Sequence, residues 1–173
     1  FFLDRVRPID GVRVSKRLTA RGRERLFDRI REHSLALAVV RAVVEDIDRI
    51  NILQASLLAM QRAVEALNPA ADCVLVDGNQ LPALPCPAEA IVKGDSKVEA
   101  ISAASIIAKV SRDREMIELD RLFPGYGLAQ HKVYPSKAHM AALESLGITP
   151  IHRRSYAPVR RIAQRESGAA GQA

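Results

Sequence analysis

The apolar positions of the chain fall into short runs and spaced stripes. Cys73-Val74-Leu75-Val76 is an apolar run closed by Asp77 and followed by Gly78-Asn79, which predicts a strand over 73–77. Ala90-Ile91-Val92 leads through Lys93-Gly94 to Asp95-Ser96 and predicts a strand over 89–93, joined to the first by the Pro-rich loop 81–87. Residues 1–3 read as strand, and 35–44, apolar on both faces except for Arg41, as an interior strand. Helical spacing governs the remainder. Thr19 caps a helix to about His33 with Leu26, Phe27 and Ile30 on its apolar side. Asp48 opens a long helix marked by Ile50, Leu53, Leu57, Met60, Val64 and Leu67, which Asn68-Pro69 stops. Ser96 caps a helix over about 98–122, with Ala103, Ile106, Ile107, Val110 and Ile117 on one face and Pro124-Gly125 at its end. Residues 126–135 form a polar loop, 136–146 a helix closed by Gly147, and 159–164 a short helix. Residues 167–173 are rich in Gly and Ala and read as a disordered tail. This order of elements predicts an α/β fold, in one domain over 1–166.

Composition narrows the class. With 173 residues, 48% of them hydrophobic, the chain can bury a core, which the scarcity of aromatics makes aliphatic. Cys73 and Cys86 fit neither a zinc pattern nor a disulfide framework, and Cys73 reads as a small core residue. Reduced thiols and the absence of a signal peptide predict a cytoplasmic protein, and no apolar stretch approaches a membrane span. Charge is uneven. Residues 1–30 carry nine Lys/Arg against four Asp/Glu, residues 31–108 six against ten, and residues 109–173 eleven against six. Basic ends flank an acidic middle, so a phosphate polyanion could rest on the basic parts while cations screen the centre.

Asp77 and Asp95 lie in that acidic middle. Each follows an apolar run and neighbours a glycine. Ligands gather at the carboxyl ends of strands in open α/β sheets, and hard divalent ions prefer oxygen donors, so the two could share a metal. Each also has a plainer reading: Asp77-Gly78 as a turn pair, Asp95 as a helix cap. Two ligands are few for a two-metal site. Asp113, within a helix, and Asp48, near a helix start, read as surface charges or caps.

Several stretches together resemble bacterial type 2 ribonuclease H, ribonuclease HII. They are Ile47-Asp48-Arg49-Ile50-Asn51-Ile52, Ala59-Met60-Gln61-Arg62-Ala63-Val64, Val74-Leu75-Val76-Asp77-Gly78-Asn79 and Val92-Lys93-Gly94-Asp95-Ser96-Lys97. The segment from Ile101 to Asp113 is similar to the family's most recognisable helix, and Tyr126-Gly127-Leu128-Ala129-Gln130-His131-Lys132 and His152-Arg153-Arg154-Ser155 extend the likeness. The resemblance implies a ribonuclease H-like mixed sheet flanked by helices with a helical C-terminal segment. It implies cleavage of RNA in RNA–DNA hybrids and at single ribonucleotides in duplex DNA, with Mn²⁺ or Mg²⁺, leaving a 3′-hydroxyl and a 5′-phosphate. Asp77 and Asp95 match two of the family's four acidic residues. Tyr134 matches its junction-reading tyrosine, near the 2′-hydroxyl that separates ribose from deoxyribose. Ser15, Lys16, His131 and Lys132 fall in its substrate-binding motifs. A monomer is expected, with no membrane partner.

Three departures accompany the likeness. The family's first motif, an Asp-Glu pair before a Gly-Arg-Gly loop on its first strand, has no counterpart. The reading is therefore a chain lacking that strand, with little or no activity expected of the 173 residues alone. Val14 stands before Ser15-Lys16 where the family has Asp, and Val133 replaces a glycine beside Tyr134. A non-catalytic nucleic-acid-binding remnant of the same fold is the alternative reading.

Overall fold

The computed structural model describes residues 2–3, 11–12, 18–131 and 136–170. Their elements run β1 (Phe2–Leu3), α1 (Ala20–His33), β2 (Ser34–Ala36), α2 (Val44–Glu65), β3 (Val74–Asp77), β4 (Ala88–Ile91), α3 (Gly94–Lys97), α4 (Glu99–Leu122), α5 (Leu128–His131), α6 (Lys137–Leu146) and α7 (Ala157–Ala170). The fold is mixed α/β, as expected. β1 and β2 pair antiparallel, and β3 and β4 pair in parallel. The chain divides into two compact units, one of 1–41 with 56–111 and one of 42–55 with 112–173.

In the first unit, α1 begins where expected. The Thr19 side chain accepts the Gly22 N–H at 3.1 Å, and Leu26, Phe27 and Ile30 are buried. They pack with Val12 and with Ala103, Ile106, Ile107 and Val110 of α4. Fully buried Ser102 donates its hydroxyl to the Val12 carbonyl at 2.7 Å, so its polar atom enters the core satisfied. The β3–β4 register pairs Val74 with Ala88 and Asp77 with Ile91. This parallel register brings the carboxyl ends of both strands to one edge.

In the second unit, Tyr126, Leu128, Leu143, Val159 and Ile162 form the core. The Tyr126 hydroxyl donates to the carbonyl of Gly147 at 2.9 Å, tying the loop after α4 to the end of α6. Ser136 caps α6 through its hydroxyl oxygen, which accepts the His139 N–H at 3.1 Å, and Gly147 closes the helix, both as expected.

Several expectations fail for physical reasons. The interior strand over 35–44 shrinks to β2. Leu35, Val39 and Val43 are each about half exposed, and among the described residues β2 pairs with two-residue β1 alone, whereas an apolar run becomes an interior strand only beside partners. α2 starts before Asp48 and breaks at Asn51, whose φ of 67° and ψ of 167° are non-helical. The Asn51 carboxamide oxygen accepts the N–H groups of Leu53 and Gln54, so Asn51 caps the second segment. Within α2 only Asp46 and Ala55 are buried, and Leu53 and Met60 of the expected stripe are exposed. Ile117 is likewise 45% exposed. Cys73 lies just outside β3 and is exposed rather than in the core. The polar loop over 126–135 contains the short helix α5, with Tyr126 and Leu128 in the core. α7 is longer than expected and continues through Ser167 to Ala170. No helix among the described residues is long and apolar enough to cross a membrane.

Candidate active site

The site is assembled at the carboxyl edge of β3 and β4. Asp77 is the last residue of β3 and is exposed, whereas Asp95 is 8% exposed. Between them runs the Ile91–Gly94 turn. Lys93 takes the left-handed conformation, φ 56° and ψ 40°, and this reverses the chain so that the Gly94 N–H meets the Asp77 carboxylate at 2.8 Å. Gly78, at φ 129°, turns the other strand away just after Asp77, while its N–H still donates to the Ile91 carbonyl at 3.1 Å. Asp77 is thus held to the residue next to Asp95, and the structure brings the two predicted carboxylates to one rim.

Asp95 reaches this position differently from the expectation. It lies within the four-residue helix α3, and the neighbouring Ser96 is not the cap of the following helix: the Ser96 hydroxyl donates to the Lys93 carbonyl at 2.8 Å. Val98 is extended and separates α3 from α4. Gly94 is buried, and a Cβ built on it would lie 2.6 Å from Ile101 Cδ1 of α4. Glycine is required there because α4 packs directly against the turn that carries Asp95.

Two carboxylates at a strand edge, one of them exposed, suit a hard divalent cation as part of a ligand set. Among the described residues no three His, Cys, Asp or Glu side chains gather as a metal-holding group. Of the other predicted site residues, Ser15, Lys16, Lys132 and Tyr134 lie outside the described residues, as do Val14 and Val133, and His131 ends α5.

The roles of Lys93 and Gly94 at this edge, and separately that of Asp48 in the second unit, went unread in the sequence. Lys93 and Gly94 form the junction itself; a Lys-Gly pair between a strand and a helix was the available signal. Asp48, read as a surface charge or cap, accepts the N–H groups of Arg154 and Ser155 at 2.8 and 2.9 Å and the Ser155 hydroxyl. Burial alone would raise its pKa, but the Ser155 and Arg154 hydrogen bonds and the Arg153 charge hold it below the usual carboxylate value. No local pattern signals a partner 106 residues away.

Comparison with known proteins places the chain in a family. The family pattern described as Ribonuclease HII matches residues 9–159. The crystal structure of the ribonuclease H2 from Pyrococcus horikoshii OT3 is similar at a TM-score of 0.73 and 28% identity, covering 90% of this chain and 81% of that one. The ribonuclease HII in its complex with PCNA from Archaeoglobus fulgidus is similar in fold, with a TM-score of 0.60 and 23% identity over 87% of this chain and 80% of that one. With this family match over most of its length, the chain belongs to the ribonuclease HII family.

Proposed function

We propose that the protein is a divalent-metal-dependent endonuclease that hydrolyses the RNA strand of RNA–DNA hybrids and cuts duplex DNA at single ribonucleotides, leaving a 3′-hydroxyl and a 5′-phosphate. Family membership supports a ribonuclease H-type endonuclease. The observation that carries the finer reading is the Asp77–Gly94 bond, which ties the end of β3 to the residue next to Asp95. Asp77 and Asp95 would hold Mn²⁺ or Mg²⁺, which supplies Lewis acidity to a phosphate oxygen when bound. The Gly94 N–H orients one Asp77 oxygen and leaves the exposed carboxylate open to a ligand. Buried Asp95 is fixed by α3. Ser15, Lys16, His131 and Lys132 are assigned to the substrate backbone, and Tyr134 to the 2′-hydroxyl, on the family's motifs. We assign the domain to residues 1–166, acting as a monomer in the cytoplasm, and little activity to the 173 residues alone, because Asp77 and Asp95 are few ligands for two metal ions.

The test is cleavage of a labelled DNA duplex carrying one ribonucleotide. The 173 residues alone are expected to cut little, and what cutting occurs should need Mn²⁺ or Mg²⁺, cease in EDTA and return when metal is restored. Asp77→Asn and Asp95→Asn should each lower turnover at least about 100-fold with the melting temperature maintained. A protein that binds this duplex but cuts it in neither metal would instead be a non-catalytic nucleic-acid-binding member of the fold.

A further inference from the structure

We propose that Asp48 is a positioning residue that presents Arg153 and Arg154 to the phosphate backbone of a nucleic-acid duplex. The proposal rests on the reading above for the identity of the duplex. Its physical basis lies wholly within the second unit.

Asp48 grips two consecutive backbone amides. Its Oδ2 accepts the Arg154 N–H at 2.8 Å, and its Oδ1 accepts the Ser155 N–H at 2.9 Å together with the Ser155 hydroxyl. A carboxylate bound to successive N–H groups fixes the backbone of the turn that carries them. A second bond, from the Tyr156 N–H to the Arg153 carbonyl at 3.2 Å, closes the same turn. Arg153 and Arg154 are thus mounted on a rigid support although both are exposed.

Neither guanidinium has an ion pair or hydrogen bond among the described residues. Arg49, by contrast, is paired with Asp46 at 2.9 Å, and Arg165 with Glu144 at 3.0 Å. The Arg153 charge acts on Asp48 across space, but the Asp48 oxygens are bonded to the turn and to neither guanidinium. From His152 to Arg165 the sequence holds five arginines and no acidic residue, so this segment is strongly basic. The turn borders an open pocket of about 490 Å³, lined in part by Asp48, Asn51, Arg153, Ser155 and Tyr156. Arginines on a fixed backbone, with no bonded counter-ion among the described residues and beside an open concavity, suit phosphate oxygens, which guanidinium binds in a fork geometry.

The test measures anisotropy of a short labelled duplex in EDTA over a salt series, with and without one ribonucleotide. The double variant Arg153→Ala/Arg154→Ala should weaken both duplexes and reduce the log–log salt slope by about 1–2. Asp48→Asn, with both arginines present, should weaken binding about 3–10-fold. It should add no further loss in the double-alanine background, because its effect passes through the arginines. Ser155→Ala, which removes one bond of the grip, gives a milder version should Asp48→Asn fail to fold. In turnover on the ribonucleotide duplex, KM should rise while kcat is retained. An unchanged salt slope in the double-alanine variant overturns the proposal, and so does a full additional Asp48→Asn loss on top of it. Normal cleavage with an unchanged slope defeats this proposal alone. A changed slope with no cleavage in either metal defeats the nuclease reading and leaves this one standing.

Discussion

Lys93 spends conformational energy to aim Gly94 at Asp77. A non-glycine residue in the left-handed region costs roughly 1–2 kcal/mol, and glycine adds back about 0.5–1 kcal/mol of chain entropy. Lys93→Gly should therefore stabilise the protein by about 0.5–1 kcal/mol, read as a rise in melting temperature. At Gly94 the balance reverses. An added Cβ meets Ile101 Cδ1 inside a buried contact, so Gly94→Ala should destabilise by about 1–3 kcal/mol. Ile101→Val removes that Cδ1, and in its background the same change should cost less. Equal costs in both backgrounds, measured by denaturant unfolding, would rule out the Ile101 contact as the reason for glycine. The places of Asp77 at the end of β3 and of Asp95 just after β4 were legible in the sequence because each signal is local: an apolar run with a carboxylate and a glycine beside it. Lys93 was not, because nothing in Lys-Gly-Asp states which residue takes the positive φ angle.

Elements were legible where their determinants are adjacent in sequence. Thr19 and α1, or Ser136, α6 and Gly147, each form a cap and a stripe within a few turns. Elements were misread where the determinant is distant. Residues 35–44 are apolar enough for an interior strand, but their composition does not say whether partner strands exist. The stripe of α2 does not reveal a break at Asn51, where the chain leaves the helix and the same side chain restarts it. Asn51→Ala loses that cap while keeping the unfavourable φ, so it should cost about 1–2 kcal/mol. Asn51→Gly trades the cap for relief of the backbone and should cost clearly less. The two melting temperatures decide the matter, and equal losses would show that capping alone holds the break.

At the scale of the molecule, stability should depend on pH through a buried histidine. His152 and His139 are 4% and 3% exposed, with ring centroids 5.4 Å apart beneath Tyr126. The His152 Nδ1 accepts the Thr149 N–H at 3.1 Å, and its Nε2 is buried without a hydrogen-bond partner among the described residues. Burial first, and the neighbouring His139 second, lower the His152 pKa from 6.5 to about 4. Between those values the unfolded chain binds the proton more readily than the folded one. The stabilisation is therefore complete above about pH 6.5 and is lost as pH falls toward 4, by on the order of 1–3 kcal/mol. His152→Phe keeps a ring at this position and should flatten the melting-temperature profile in that window; a profile as steep as the wild type would assign the acid sensitivity elsewhere. The exposed thiol of Cys73 offers a separate opportunity, since it stands just before the strand that ends in Asp77. Four residues of extended chain place the two about 13 Å apart along the backbone. A nitroxide or fluorophore attached there would sense the arrival of paramagnetic Mn²⁺ directly, so occupancy of the rim could be followed without any substrate being turned over.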